Sequence, residues 1–161
     1  MVKKLLMAAV GVMIVAGLFA CGKKVAVSGN KIVVWHWMTD RDAVFKTLAQ
    51  KYQQETGIAV EFLIYAPSES YQTKVRAAAQ TSTLPDIFGV LDKKEVFAKF
   101  INSGHVMDIS TAMDEQNGAW KNRFFSRALA QNMFEEGNSY KIKPGIYGVP
   151  LDVSNIQMLY N

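Results

Sequence analysis

The fold is decided by residues 31–65, KIVVWHWMTDRDAVFKTLAQKYQQETGIAVEFLIY, in which two apolar runs flank a longer amphipathic segment. The first run, residues 31–37, is rich in β-branched and aromatic side chains, which is typical of a strand covered on both faces. Between the runs, apolar residues recur at the i, i+4 and i+8 spacing of a helix, at Val44, Leu48 and Tyr52, with Phe45 and Ala49 alongside. Gly57 follows as a left-handed helix cap, so the stretch predicts a β-α-β unit.

The same alternation continues beyond this unit. Pro67 breaks the second strand, and Ser68 begins a second helix. The apolar face of that helix consists of Tyr71, Val75, Ala78 and Ala79. Residues 86–91 predict a third strand, and residues 93–102 predict a third helix that Gly104 ends. Strands that alternate with helices predict the α/β fold class, with a mostly parallel sheet flanked by helices.

The second half of the chain has a more helical pattern. Trp120, Phe124 and Ala128 are spaced by four, which predicts a helix, and residues 135–144 are polar and rich in turn residues. Two apolar runs, residues 146–150 and 156–160, then predict two more strands. Because the sequence ends directly after an apolar strand, we expect the chain to be a piece of a longer protein.

The N-terminus has the layout of a secretory signal peptide. Residues 1–4 include two lysines, Leu5–Ala20 is an uncharged apolar run, and Cys21, the only cysteine, follows directly. An apolar run that ends in a cysteine resembles a bacterial lipoprotein signal with its lipobox, although Phe19 occupies a usually small position. That resemblance implies cleavage before Cys21, a lipid on its thiol, and a location outside the cytoplasm, in the periplasm or at the cell surface. A permanent N-terminal anchor is the alternative, because residues 5–21 would extend about 25 Å as a helix.

Composition bounds the remaining possibilities. We expect a signal peptide at residues 1–20, a lipid-anchored tether at 21–30, and one domain at 31–161. Without residues 1–20 the chain keeps 16 basic and 14 acidic residues, a charge of +2. The basic residues are dispersed, so nucleic acid is not expected as a partner. A single cysteine excludes a disulfide within the chain.

Several of these residues together resemble one protein family. The matching pieces, in order, are Val34-Trp35-His36-Trp37, Phe45-x-x-Leu48-Ala49-x-x-Tyr52-x-x-Glu55-Thr56-Gly57-Ile58-x-Val60, Leu84-Pro85-Asp86-Ile87, Tyr147-Gly148-Val149-Pro150 and Leu159-Tyr160-Asn161. The chain resembles the N-terminal part of a carbohydrate-type extracellular solute-binding protein, the capture component of ABC importers. The resemblance implies a periplasmic-binding-protein-like α/β lobe, truncated before most of a second lobe that would close over the ligand.

The family resemblance also implies partners. We expect a monomer that binds a sugar or oligosaccharide, delivers it to the membrane subunits of an ABC transporter, and uses no cofactor. The alternatives are a receptor of the same fold for a polyamine, another small organic solute or an anion, a truncated secreted hydrolase, and a structural lipoprotein adhesin.

The candidate site begins where the first strand ends. Ligands of open parallel sheets gather at the carboxyl ends of strands, and Trp37, Thr39, Asp40 and Arg41 follow the first strand. An indole face suits the C–H face of a pyranose, while a carboxylate and a guanidinium bind hydroxyls. In the resemblance, the matching loop supplies an acid and a base to the ligand, at the positions of Asp40 and Arg41. The alternative is that Thr39 or Asp40 only caps the helix, and Trp35 is expected in the core.

Further candidates follow later strands. Asp92 follows the third strand and suits either a ligand contact or a helix cap, whereas Asp86 precedes that strand and suits a structural turn. Asp152, Ser154 and Asn155 follow the Tyr147–Pro150 turn, and the family resemblance implies that this stretch supplies polar ligand contacts. Ser154 and Asn155 suit local backbone hydrogen bonds equally well.

The sequence gives no sign of catalysis. It contains no Gly-x-Ser-x-Gly elbow, no P-loop and no Gly-x-Gly-x-x-Gly motif. His36 and His105 lie far apart in sequence, with no clustered partners, so no metal site is expected. We therefore expect a binding protein and not an enzyme.

Overall fold

Strands and helices alternate through the first part of the protein, as the sequence predicts. The computed structural model describes residues 31–91 and 93–151. The elements of this part are β1 (Lys31–His36), α1 (Asp42–Thr56), β2 (Ala59–Ile64), α2 (Ser68–Gln80), β3 (Ile87–Phe88) and α3 (Lys94–Asn102). The α/β class is therefore confirmed.

The sheet has the strand order β2-β1-β3. Strands β1 and β3 are parallel, with Val34 opposite Ile87 and Trp35 opposite Phe88. Strand β3 is shorter than the predicted run of residues 86–91. Asp86, just before β3, accepts a hydrogen bond from the Val33 backbone N–H at 2.8 Å, so it ties the two strands together and has the structural role that the sequence favoured.

The ends of α1 are set by the backbone. Gly57 takes a φ of 74° and donates its N–H to the Gln53 carbonyl, which confirms the predicted left-handed cap. At the other end the cap position is Arg41, and no side chain of the described residues caps it. The predicted cap by Thr39 or Asp40 is therefore wrong. A main-chain turn, in which the Arg41 N–H donates to the Met38 carbonyl at 3.3 Å, begins the helix one residue later instead.

The main core lies between the sheet and the helices α2 and α3. Its buried centre consists of Tyr71, Val75 and Phe100, and the partly buried Trp35 packs against it as the sequence predicts. Lys74 lies over the Trp35 ring, with its Nζ 4.8 Å from the ring centroid.

Helix α1 buries less of its apolar face than its periodicity suggests. Val44, Leu48 and Tyr52 remain 58%, 55% and 41% exposed, and Ala49 is the buried residue of the helix. The reason is position, because α1 packs on β2, and β2 is the outermost strand of the described sheet. The stripe of three side chains therefore extends past the edge of the strands.

The second part of the protein is less regular. Its elements are α4 (Ser110–Gly118), α5 (Ser126–Leu129), β4 (Met133–Phe134), β5 (Gly145–Ile146) and short 3₁₀ turns at Lys121–Arg123 and Ala130–Asn132. Strands β4 and β5 pair antiparallel. The predicted helix through Trp120, Phe124 and Ala128 is wrong, because Phe124 has extended backbone between a 3₁₀ turn and α5. The predicted strand at 146–150 is reduced to β5, and the predicted strand at 156–160 lies outside the described residues.

The predicted turn-rich loop at 135–144 is confirmed. The Asn138 side chain organises it, because its amide donates to the Glu135 and Ile142 carbonyls at 2.7 Å each. Its oxygen accepts from the Tyr140 and Ile142 N–H groups at 3.2 Å each. Among the helices of the described residues, none is long and apolar enough to cross a membrane.

Candidate ligand-binding site

The carboxyl ends of β1 and β3 lie side by side because these strands are parallel and paired. Trp37 follows β1 and Gly89 follows β3, and the two residues are in close contact. A Cβ atom added to Gly89 would lie 2.6 Å from Trp37 Cζ3 and 3.1 Å from Trp37 Cη2. The indole thus packs directly against a glycine backbone at the edge of the sheet where ligands of such folds bind.

Tyr71 of α2 supports both residues. Its side chain is fully buried, and its ring centroid lies 5.0 Å from that of Trp37 at an interplanar angle of 45°. The phenol oxygen accepts a hydrogen bond from the Gly89 N–H at 2.7 Å, and its proton faces the Gly89 and Trp35 carbonyls at 3.0 and 3.2 Å. Burial raises the pKa of Tyr71 to about 12, opposed by the hydrogen bond with Gly89. The group is therefore a neutral phenol that donates and accepts at once.

The loop after Trp37 carries exposed polar side chains. Thr39 is exposed, and the side chains of Asp40 and Arg41 are 75% and 38% exposed. The Asp40 Oδ2 lies 3.6 Å from the Arg41 Nε. An exposed pair at this distance contributes little to stability. Neither the Thr39 nor the Asp40 side chain caps α1, and the helix begins instead with the main-chain turn between Met38 and Arg41.

His36 lies behind the loop, on the α1 side of the sheet. It is 3% exposed and packs edge-on against Phe45 and Phe62, with centroid distances of 5.0 and 5.8 Å. Its Nε2 lies 3.4 Å from Asp42 Oδ1, and neither ring nitrogen makes a hydrogen bond within the described part of the chain. Asp42 also binds Lys46 at 2.7 Å, and the hydrogen bond from Lys46 is the largest cause that lowers the Asp42 pKa.

No group of three or more His, Cys, Asp or Glu side chains among the described residues could hold a metal ion. The site around Trp37 is therefore built from an aromatic ring, a carboxylate, a guanidinium and a hydroxyl. Such a set can stack on a flat apolar surface and exchange hydrogen bonds, which are the contacts of binding.

The structure brings together Trp37, Thr39, Asp40 and Arg41 in one loop. The other predicted site residues, Asp92, Asp152, Ser154 and Asn155, and the predicted lipidation site Cys21, lie outside the described residues.

Sequence reasoning missed two residues of the site. Gly89 carried a usable signal, because a glycine inside a predicted strand often marks the close approach of another group. Tyr71 was assigned to the apolar face of α2, and nothing in the sequence showed that its hydroxyl would reach Gly89.

Comparisons with known proteins agree on one fold. A family model described as bacterial extracellular solute-binding protein matches residues 35–161. The ABC transporter associated binding protein from B. animalis subsp. lactis Bl-04, solved in complex with beta-1,6-galactobiose, superposes with a TM-score of 0.56 at 18% identity, over 76% of this chain and 26% of that one.

A second solved structure, described under xylan utilization by the thermophilic bacterium Caldanaerobius polysaccharolyticus, gives a TM-score of 0.55 at 18% identity, over 74% of this chain and 28% of that one. The chain thus spans about a quarter of the length of both proteins. No curated protein matches it.

Proposed function

The chain belongs to the bacterial extracellular solute-binding protein family, and we propose that it captures a sugar or oligosaccharide outside the cytoplasm for an ABC importer. Its parallel sheet flanked by helices is the α/β lobe of that fold. The proposal assigns no chemical reaction to the protein, and the energy for transport would come from the ATPase of the importer.

The position of Trp37 carries the proposal. Pyranose rings present flat C–H faces. The Trp37 indole is half-buried and packs against the core cluster of Tyr71, Val75 and Phe100, and its exposed part would offer the matching apolar surface at the carboxyl end of β1. Asp40 and Arg41, within four residues of Trp37, supply an acceptor and a donor for hydroxyl groups. The exposed Asp40 carboxylate does not cap α1, which supports a ligand role for it over the capping role.

The charges of the loop favour a neutral ligand. The positive charges of a polyamine would be attracted by Asp40 and repelled by Arg41. An inorganic anion would be attracted by Arg41 and repelled by Asp40. A saccharide uses both groups through hydrogen bonds and adds stacking on Trp37. The fold is shared with a protein solved in complex with beta-1,6-galactobiose, which also supports a saccharide.

Ligand-observed NMR tests the proposal on the 161-residue chain. The chain spans about a quarter of the length of its structural neighbours, so we expect it to bind weakly. Ligand-observed NMR detects complexes with millimolar dissociation constants. The probes are β-1,6-galactobiose, xylobiose, spermidine and inorganic phosphate. We expect saturation transfer to a saccharide and not to spermidine, and no broadening of the 31P line of phosphate, which has no carbon-bound protons for saturation transfer. Transfer to spermidine alone, or broadening of the phosphate line alone, would show that the ligand belongs to that class and is not a sugar.

Variants of the loop locate the binding site. Trp37→Ala should weaken saccharide binding by about 1.5–3 kcal/mol, the value of a buried aromatic side chain, or roughly tenfold to 150-fold. Asp40→Ala and Arg41→Ala should each cost about 1–3 kcal/mol, the scale of a charge-assisted hydrogen bond. Trp120→Ala is the matched control, because Trp120 is 40% exposed in the second part of the chain. If Trp37→Ala and Trp120→Ala weaken saccharide binding equally, the site does not lie at the end of β1.

The proposal includes a membrane anchor. The location outside the cytoplasm follows from the family, and we propose that a lipid on Cys21 holds the protein at a bacterial membrane. The support for the lipid is the sequence layout alone, in which an apolar run with a basic start ends at a lone cysteine.

A further inference from the structure

We propose that Gly89 and Tyr71 are positioning residues that form a seat for the Trp37 indole and thereby set how well the indole stacks on the ligand. The inference rests on the proposed function for the identity of the ligand. The seat itself is defined by three residues that are distant in sequence and meet at the carboxyl ends of β1 and β3.

The first argument is steric. Carbon atoms in contact are ordinarily about 3.5–4.0 Å apart, and a Cβ at residue 89 would lie 2.6 Å from Trp37 Cζ3. The backbone at Gly89 is not in the left-handed region, so its conformation does not demand glycine. Glycine is required instead because the indole occupies the space that a Cβ would need, and any larger residue has to displace the ring by roughly 1 Å.

The second argument is rigidity. The Tyr71 hydroxyl bonds both the N–H and the carbonyl of Gly89, at 2.7 and 3.0 Å, so the glycine cannot easily withdraw from the ring. The Tyr71 ring is fully buried and packs against Trp37 from inside the lobe. The indole is thus restrained by a backbone on one side and a buried phenol on another.

The seat also bears on the class of ligand. Backbone N–H groups at the ends of strands and helices are the usual cradle for anions. The Gly89 N–H is already donated to Tyr71, so a ligand at the end of β3 finds an indole surface and not this amide. This arrangement favours the C–H face of a sugar over an anionic group.

Fluorine NMR on protein labelled with 7-fluorotryptophan tests the seat without any ligand. The chain has three tryptophans, and Trp37→Phe identifies the Trp37 resonance by its loss. The label places fluorine on Cζ2, away from the Cζ3 atom that faces Gly89. We expect Gly89→Ala to move the Trp37 resonance and leave the other two in place. Gly148→Ala is the matched control, because its new Cβ would lie 2.8 Å from Asn132 Oδ1 and not near Trp37.

A double-variant comparison tests the link to binding. Gly89→Ala should lower the affinity for the saccharide probe about tenfold, which is less than the 10²-fold that a misplacement of about 1 Å costs at reacting centres, because stacking tolerates displacement better than a reaction does. In a Trp37→Phe background the atoms Cζ3 and Cη2 are absent, so the same change at Gly89 should alter affinity less than about twofold. An equal loss in both backgrounds would overturn the proposal.

Two further outcomes are decisive. If the Trp37 fluorine resonance does not move in Gly89→Ala, the proposed seat is wrong. If Gly89→Ala does not fold, Tyr71→Phe, which adds no atoms, is measured in its place, and an unmoved Trp37 resonance in that variant also overturns the proposal. If the unaltered chain binds no saccharide, the proposed function fails, while the fluorine resonance still decides whether Gly89 and Tyr71 position Trp37.

Discussion

Tyr71→Phe should destabilise the protein by an amount that depends on pH. The substitution keeps the buried ring and removes a hydroxyl that accepts from the Gly89 N–H and donates to a backbone carbonyl. A net hydrogen bond contributes about 1 kcal/mol, and a buried N–H left without a partner costs about 1–3 kcal/mol. We expect a loss of about 2 kcal/mol at pH 8, or roughly 4–8 °C in Tm for a domain of this size.

The pH dependence follows from the phenol pKa, which burial raises from 10.0 to about 12. A group whose folded pKa is raised contributes its stability fully below the unfolded pKa and loses it as the pH rises toward the folded value. By pH 11 this loss is about 1.4 kcal/mol in the unaltered protein and zero in Tyr71→Phe. The stability difference between the two proteins should therefore shrink from about 2 to about 0.6 kcal/mol.

Urea unfolding followed by circular dichroism at pH 8 and pH 11 measures both values. Lysine titration affects both proteins alike and cancels in the difference. Tyr52→Phe is the matched control, because Tyr52 is 41% exposed and its loss of a hydroxyl should change the free energy of unfolding by less than about 0.5 kcal/mol. A difference that stays constant between the two pH values would refute the reasoning, as would full stability of Tyr71→Phe at pH 8.

Two other predictions concern the N-terminus and the start of α1. Cys21→Ser should release the protein from membranes or leave it uncleaved, because the hydroxyl cannot take a thioether-linked lipid. Membrane fractionation with intact mass measurement tests this, and a normally cleaved product that stayed membrane-bound would contradict it. Asp42→Asn should lower Tm more at pH 7 than at pH 2.5, since the Lys46 hydrogen bond holds the Asp42 pKa below its ordinary value and its stabilisation is lost as the pH falls through that pKa. Melts that show the same gap at both pH values would contradict the second prediction.

The local pattern of the sequence predicts most of the elements in the first part of the fold. The helix α2 buries the Tyr71 and Val75 face that its periodicity indicates, and Gly57 ends α1 in the left-handed conformation. These features depend on residues within a few positions of one another, so a single sequence contains the relevant information.

Features that depend on long-range position could not be predicted in the same way. The stripe of Val44, Leu48 and Tyr52 has the periodicity of a buried face, yet it is exposed because α1 packs on the outermost strand of the described sheet. The start of α1 was missed for a related reason. A main-chain turn at Met38 and Arg41 begins the helix without a side-chain cap, and residue types alone do not distinguish these two solutions.

The candidate site depends on strand register more than on any single residue. The parallel pairing of Trp35 with Phe88 places Gly89 at the level one residue past that pair, at the carboxyl end of β1, where the Trp37 indole packs against it. A slip by one residue would bring Phe88 or Val90 to that level and reverse the faces of the strand, so a side chain would occupy the space of the ring. Asp86 opposes such a slip, because its carboxylate fixes β3 to the Val33 N–H at the opposite end of the pair. The hydrogen bond at one end of the strands therefore helps to hold the Trp37 indole against Gly89 at the other end, and the proposed stacking of a sugar on Trp37 depends on this register.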